Sequence, residues 1–216
     1  MKGIIQVGAV ALGLLASTSM ARAQGTTMSS GHPVAFGVFG GASVATGELK
    51  NASGTGFHGG GVVQFAVGMI PFGLRADVAY HRFGSKSDPS TGVKVTNSII
   101  NGTLNGLFMV PMDAGGSVKP YVLAGVGVYN LRGKLDCGSS GCGEFGGDVT
   151  SSATKFGING GAGVQFVMAG LSTFLEARYH YIFSAYGNTT NSVYGSGSGS
   201  NSGAGFIPIS VGIMFR

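Results

Sequence analysis

The chain has 216 residues, of which 44% are hydrophobic, only 10% are charged and 42 are glycine; 13 Lys and Arg against 8 Asp and Glu give a formal charge of +5. That modest positive excess forms no basic cluster, which argues against a nucleic-acid partner. The glycines are interleaved with periodic Val, Ile, Leu, Phe and Tyr rather than with Ser or Pro alone, which argues against low-complexity disorder.

In chain order, Lys2 is followed by an apolar run from Gly3 to about Ala16, and then by the small-x-small triplet Ala21-Arg22-Ala23. A charged n-region, an apolar h-region and such a triplet make an export signal, with cleavage expected after Ala23. Residues 1–23 are therefore expected to be removed, leaving 24–216 as one domain. No later stretch approaches the ~18 continuous apolar residues of a spanning helix.

The remainder divides into eight alternating segments, roughly 34–43, 56–67, 73–84, 94–110, 119–132, 154–167, 171–184 and 205–216. Their period is two rather than 3.6, and they are rich in β-branched and aromatic residues, so they are predicted as strands. The connections alternate in length. Short ones follow the second, fourth and sixth segments, and long polar ones follow the first, third, fifth and seventh. Long loops at one end and short turns at the other are the pattern of a membrane barrel.

Parity assigns the faces. In the third segment Leu74, Ala76, Val78 and Tyr80 oppose Arg75, Asp77 and His81; in the seventh, Leu175, Ala177, Tyr179, Tyr181 and Phe183 oppose Glu176, Arg178 and His180. The fourth sets Ile100, Leu104, Phe108 and Val110 against Asn97, Asn101, Thr103 and Asn105. The second sets Val63 and Phe65 against His58 and Gln64, and the sixth sets Phe156, Ile158 and Val164 against Asn159 and Gln165. Placing an Arg on the lipid side would cost about 2–4 kcal/mol near the midplane, so the polar parity is assigned to the interior. Strands three and seven lie opposite one another in an eight-strand barrel. Arg75, Asp77, His81, Glu176, Arg178 and His180 are thus expected to meet in one internal network. Tyr80, Tyr129, Tyr179, Tyr181 and Phe183 are expected in one aromatic girdle; Phe65, Phe108, Tyr121, Phe166 and Phe215 are expected in the other. Arg82 falls on the lipid parity at the loop end, within reach of lipid phosphates or simply snorkelling.

The closing segment FIPISVGIMFR places Ile207, Ile209, Val211, Ile213 and Phe215 on one face and Phe206, Pro208, Ser210, Gly212 and Met214 on the other. Pro208 is placed near the start of that strand, where a missing donor is tolerated. This ending, the export signal, the eight segments and the stretch KPYVLAGVGVYN (119–130) together resemble the small bacterial outer-membrane β-barrel proteins, in particular the barrel domain of the outer membrane protein A type. Arg216 follows the terminal aromatic on which such strands commonly end. The resemblance implies an all-β, closed, eight-stranded antiparallel up-and-down transmembrane barrel in the outer membrane. It further implies a structural or adhesion-type surface protein, monomeric and without cofactor, set among outer-membrane lipids (lipopolysaccharide) and meeting extracellular ligands at its loops.

Cys137 and Cys142 lie in the third long loop. Exported chains meet an oxidising compartment, so a short disulfide is the expected reading. A metal site is the competitor, but it lacks a nearby His or a second Cys pair. The internal carboxylates and histidines are the residue types of proton transfer; in a filled barrel they are expected to be structural, with no catalytic residues. Two further readings stand beside this one, a lipid-modifying outer-membrane enzyme and a soluble lipocalin-like carrier. The carrier requires an apolar interior and a polar exterior. Eight strands leave little lumen, so no large pore is expected.

Overall fold

The computed structural model describes residues 34–47, 49–50, 53–66, 71–87, 94–111, 117–136, 149–168, 171–186 and 202–215. All lie in one compact unit, His32–Arg216. Their strands are β1 (Val34–Gly47), β2 (Gly54–Ala66), β3 (Phe72–Gly84), β4 (Lys86–Ser87), β5 (Lys94–Met109), β6 (Val118–Asp136), β7 (Val149–Met168), β8 (Leu171–Tyr186) and β9 (Ser202–Phe215). The sheet order is β3-β2-β1-β9-β8-β7-β6-β5-β4, and an additional β3–β5 pairing closes the ring. Every ladder is antiparallel. Two-residue β4 continues the line of β3 past Ser85 along the same partner, β5. The architecture is therefore a closed barrel of eight staves, as the alternation of the sequence predicts.

Closure leaves no unpaired strand edge, which is what hydrocarbon demands of a β-structure. The sidedness follows the same demand. Val38, Val78, Leu104, Val126, Phe156, Leu175 and Val211 are exposed, while Arg75, Asp77, Asn101, Gln165, Glu176 and Arg178 are buried inside. A soluble carrier would show the reverse. Pairs of outward rings sit at the short-turn end. Phe36 and Phe215 are register partners with centroids 6.0 Å apart, and Phe72 and Phe108 are register partners at 5.1 Å. Tyr80, Tyr179 and Phe183 are exposed toward the other end.

Three expectations are corrected. Tyr121 and Tyr129 do not join the girdles. They point inward with 2% and 0% exposure. Both faces of β6 are apolar there, Val122, Val126 and Val128 on one and Tyr121, Leu123, Tyr129 and Leu131 on the other, so parity alone carried no contrast. Pro208 lies well inside β9 rather than near its start, because the strand begins at Ser202. Its missing N–H coincides with a gap in the β8 ladder between Ala177↔Ile209 and His180↔Phe206. Finally, β6 and β7 run further toward the loop end than predicted, to Asp136 and from Val149.

Inside, the barrel is layered. An apolar cluster with Phe83, Ile99, Tyr129, Leu131, Ile182 and Phe206 fills the loop end. Two smaller ones, around Phe174 with Met214 and around Leu107 with Leu123, fill the turn end. Bulk on one strand is matched by glycine on the next. A Cβ on Gly212 would collide with the Phe174 ring and stand 2.9 Å from Phe39 Cβ; on Gly163 it would stand 2.5 Å from the Tyr121 ring. Gly102, on the outer face, has nothing within 4 Å of such a Cβ.

Overpacking of a closed interior typically costs about 1–3 kcal/mol. Gly212→Val is accordingly expected to lower stability by that amount, read as a shifted urea midpoint for the protein refolded in micelles. Gly102→Ala should leave the midpoint unchanged.

Candidate functional site

Between the two apolar plugs lies the polar layer that parity assigns to the interior. The staves of β3 and β8 run in the same direction on opposite sides of the ring. Along that direction β3 presents Arg75 and then Asp77, and β8 presents Glu176 and then Arg178. Because the charge order is reversed between them, each residue meets an opposite charge both along its own strand and across the lumen. Arg75 Nε donates to Asp77 Oδ1 at 2.8 Å, and Arg75 Nη1 to Glu176 Oε2 at 3.0 Å. Arg178 Nη1 donates to Asp77 Oδ2 at 3.1 Å, and Arg178 Nη2 to Glu176 Oε1 at 2.6 Å. The four side chains form a closed ring of alternating sign and zero net charge, and each is 1–6% exposed.

Burying four charges is costly unless further hydrogen bonds fill their remaining valences, and here both carboxylates accept from additional donors. Tyr121 Oη donates to Glu176 Oε2 at 2.8 Å, and Asn105 Nδ2 to Asp77 Oδ2 at 2.9 Å. Arg75 lies over the Phe174 ring, 4.7 Å from its centroid. The turn-end aromatic thus covers one face of the guanidinium.

His81 and His180 lie on the loop side of the ring and bond elsewhere. They share a second layer with His58. Ser43 Oγ bridges His58 Nδ1 at 3.0 Å and His81 Nδ1 at 2.9 Å. His58 Nε2 bonds Ser210 Oγ at 2.8 Å, His81 Nε2 bonds Asn101 Oδ1 at 2.9 Å, and Tyr129 Oη bonds His180 Nδ1 at 2.8 Å. His58 stacks on His81, and His180 lies flat on Phe206 with centroids 4.7 Å apart. A cavity of about 10 Å³ remains beside the two layers, which is roughly the room of one water.

Of the six residues expected in one network, four therefore form the ion ring and two belong to the histidine layer. His58, Ser43, Tyr121 and Tyr129 were missing from the expected network. The inward parity of His58 was the available signal for it. Cys137 and Cys142 lie outside the described residues. Among the described residues no group of three or more His, Cys, Asp or Glu side chains is arranged to hold a metal ion. Each carboxylate is held by two guanidinium groups, and the lumen beside them is nearly filled. Such an arrangement fixes opposite walls of the barrel together.

Removing one member leaves an uncompensated buried charge, worth about 3–5 kcal/mol. Glu176→Ala is expected to destabilise the refolded barrel by that amount in urea unfolding. Replacing Arg75 by Met together with Glu176 by Gln should cost less than the two single changes summed. A strictly additive result would remove the coupling inferred between them.

The family model of the outer membrane protein beta-barrel domain matches residues 8–215. Among solved structures, the chain is similar to Neisserial surface protein A (NspA), with 19% identity over 85% of this chain and 97% of that one and a TM-score of 0.53. It is also similar to a major outer membrane protein from Thermus thermophilus, with 15% identity over 85% of this chain and 99% of that one and a TM-score of 0.60. At such identities the likeness concerns the fold alone. No curated protein matches the chain.

Proposed function

The chain belongs to the outer membrane protein beta-barrel domain family and resides in the outer membrane, and from that premise we propose that it is a non-catalytic surface barrel displaying its long connections for adhesion-type contacts. The ion ring and the plugs hold the walls rigid, and the loop end does the recognition.

One observation carries this reading. The 19 residues of β6 rise about 60 Å along the strand, or roughly 42–49 Å along the axis at a tilt of about 35–45°, against an apolar band of about 25 Å. The excess lies at the loop end. There the outward positions change from Val126, Val128 and Phe156 to Arg132, Lys134, Thr150, Ser152 and Thr154. These residues stay paired, Arg132 with Ser152 and Lys134 with Thr150. A hydrogen-bonded polar ridge beyond the lipid is a rigid pedestal for the 137–148 connection. A barrel serving only to span the membrane has no need of it.

Replacing residues 137–148 by a short Asn-Gly turn is expected to abolish binding of whole expressing cells to extracellular-matrix and polysaccharide surfaces. Heat-modifiable gel migration should be kept, showing that the barrel still folds. Unchanged adhesion, or an altered outer-membrane lipid profile by mass spectrometry in expressing cells, would replace the display reading with another.

A further inference from the structure

The ion ring leaves no carboxylate spare. Asp77 and Glu176 each hold both guanidinium groups, and the four charges sum to zero. The histidine layer sits directly above, toward the loop end. Arg75, Asp77, Glu176 and Arg178 are the charged groups below it, and the cavity bordered by His58, His81 and His180 is also lined by Asp77, Glu176 and Arg178. From β6 comes Tyr129; from β7 come Asn159, the register partner of His180, and Lys155, the register partner of Tyr129. Strands β1, β5 and β9 contribute the neutral Ser43, Asn101, Ser210 and Phe206. A second proton on any of the three rings would therefore place a buried positive charge near Arg178, with no free carboxylate among the described residues to balance it.

The hydrogen bonds, too, are complete with neutral rings. Asn101 Oδ1 is an acceptor, so His81 Nε2 donates to it and His81 Nδ1 carries no hydrogen. That nitrogen accepts from the Ser43 hydroxyl, whose oxygen accepts in turn from His58 Nδ1. His58 Nε2 then accepts from the Ser210 hydroxyl. Each link holds one hydrogen, and the chain joins β9, β2, β1, β3 and β5. A second proton on His81 lands on Nδ1 and turns the Ser43 hydroxyl out of its bond. If His58 is charged as well, two cations stack with centroids 5.1 Å apart, and His180 stands 6.2 Å from His81. The layer also supports what lies above it. Phe206 is flat on His180 and edge-on to His81 and Phe83, within the loop-end cluster.

We propose that the histidine layer is an acid-released latch for the loop-end plug. Neutral, it ties β1, β2, β3, β5 and β9 through one chain, and β6 to β8 through Tyr129 and His180. Charged, it parts, and the plug around Phe83 and Phe206 loosens while the ion ring keeps the turn-end half closed. Histidine is the side chain whose charge ordinarily changes between about pH 5 and 8, so the release belongs to that window. The opened layer, with its rings in water, binds protons for which the closed layer has no partner. The latch thus holds at neutral pH and weakens as pH falls below the ordinary histidine value of about 6.5. The proposal rests on the barrel interior alone and is independent of any adhesive role.

The test is hydrogen exchange of the whole protein refolded in micelles, followed residue by residue by NMR and corrected for the intrinsic pH dependence of exchange. Between about pH 7.5 and about pH 5.5 the opening constant at Phe83, Ile99, Leu131 and Ile182 is expected to rise about tenfold or more. At Leu107, Leu123, Phe174 and Met214, in the turn-end half, it should stay within about twofold. No rise at the loop end, or an equal rise at both ends, would overturn the latch. Replacing the three rings together (His58→Gln, His81→Gln and His180→Gln) keeps an amide for hydrogen bonding and removes the titrating group. That variant is expected to lose the acid-induced rise, and a rise that persists in it would also overturn the latch. The comparison of the two ends in wild type decides the question even where the triple variant does not fold.

Discussion

A β-barrel in hydrocarbon has no solvent outside to receive a charge, so the ring of Arg75, Asp77, Arg178 and Glu176 is the constraint from which the rest of this molecule follows. An arginine turned to the bilayer midplane costs about 2–4 kcal/mol, and turned inward unpaired it would cost still more. The alternating ring resolves both problems. It sums to zero charge, its carboxylates take further hydrogen bonds from Tyr121 and Asn105, and it ties β3 to β8 across the full diameter. The neighbouring glycines and the aromatic plugs follow from filling a narrow lumen around it.

That filling constrains composition. Phe174 covers Arg75, so Gly212 must leave space for the ring; Tyr121 reaches Glu176, so Gly163 must do the same. At these positions glycine is there for its small volume inside a crowded barrel rather than for flexibility. Beyond the lipid boundary the outward positions of β3 and β6 carry Arg82 and Arg132.

The sequence was most legible where the two parities differ in polarity. In β3 and β8 alternation between Leu, Ala or Tyr and Arg, Asp, Glu or His left one arrangement compatible with lipid, and the strands, faces and opposition of the two charged runs could all be read. In β6 it failed, because Tyr121 and Tyr129 share a face with Leu123 and Leu131 opposite a row of valines. There the burial of both rings and their hydrogen bonds to Glu176 and His180 distinguish inside from outside. Strand ends were underestimated for a related reason. Beyond the lipid boundary the outward positions of β6 and β7 become polar, the pattern loses contrast, and the ladder continues regardless. The separation of His81 and His180 from the ion ring was not legible at all. It depends on Ser43, from β1, and on Phe206, the register partner of His180 on β9, occupying the layer above.

The most direct measurement of this account is spin-label accessibility in lipid bilayers. Nitroxides are placed singly at Val126, Leu175 and Ile213, and at Asn101, Asn159 and Gln165, in a background with both cysteines replaced by serine. The account predicts high collision rates with dissolved oxygen at the first three positions and low rates at the last three. Strong oxygen contact at Asn101, Asn159 or Gln165, with protection of Val126 or Leu175, would contradict it, since the charged ring would then have no wall between itself and the lipid.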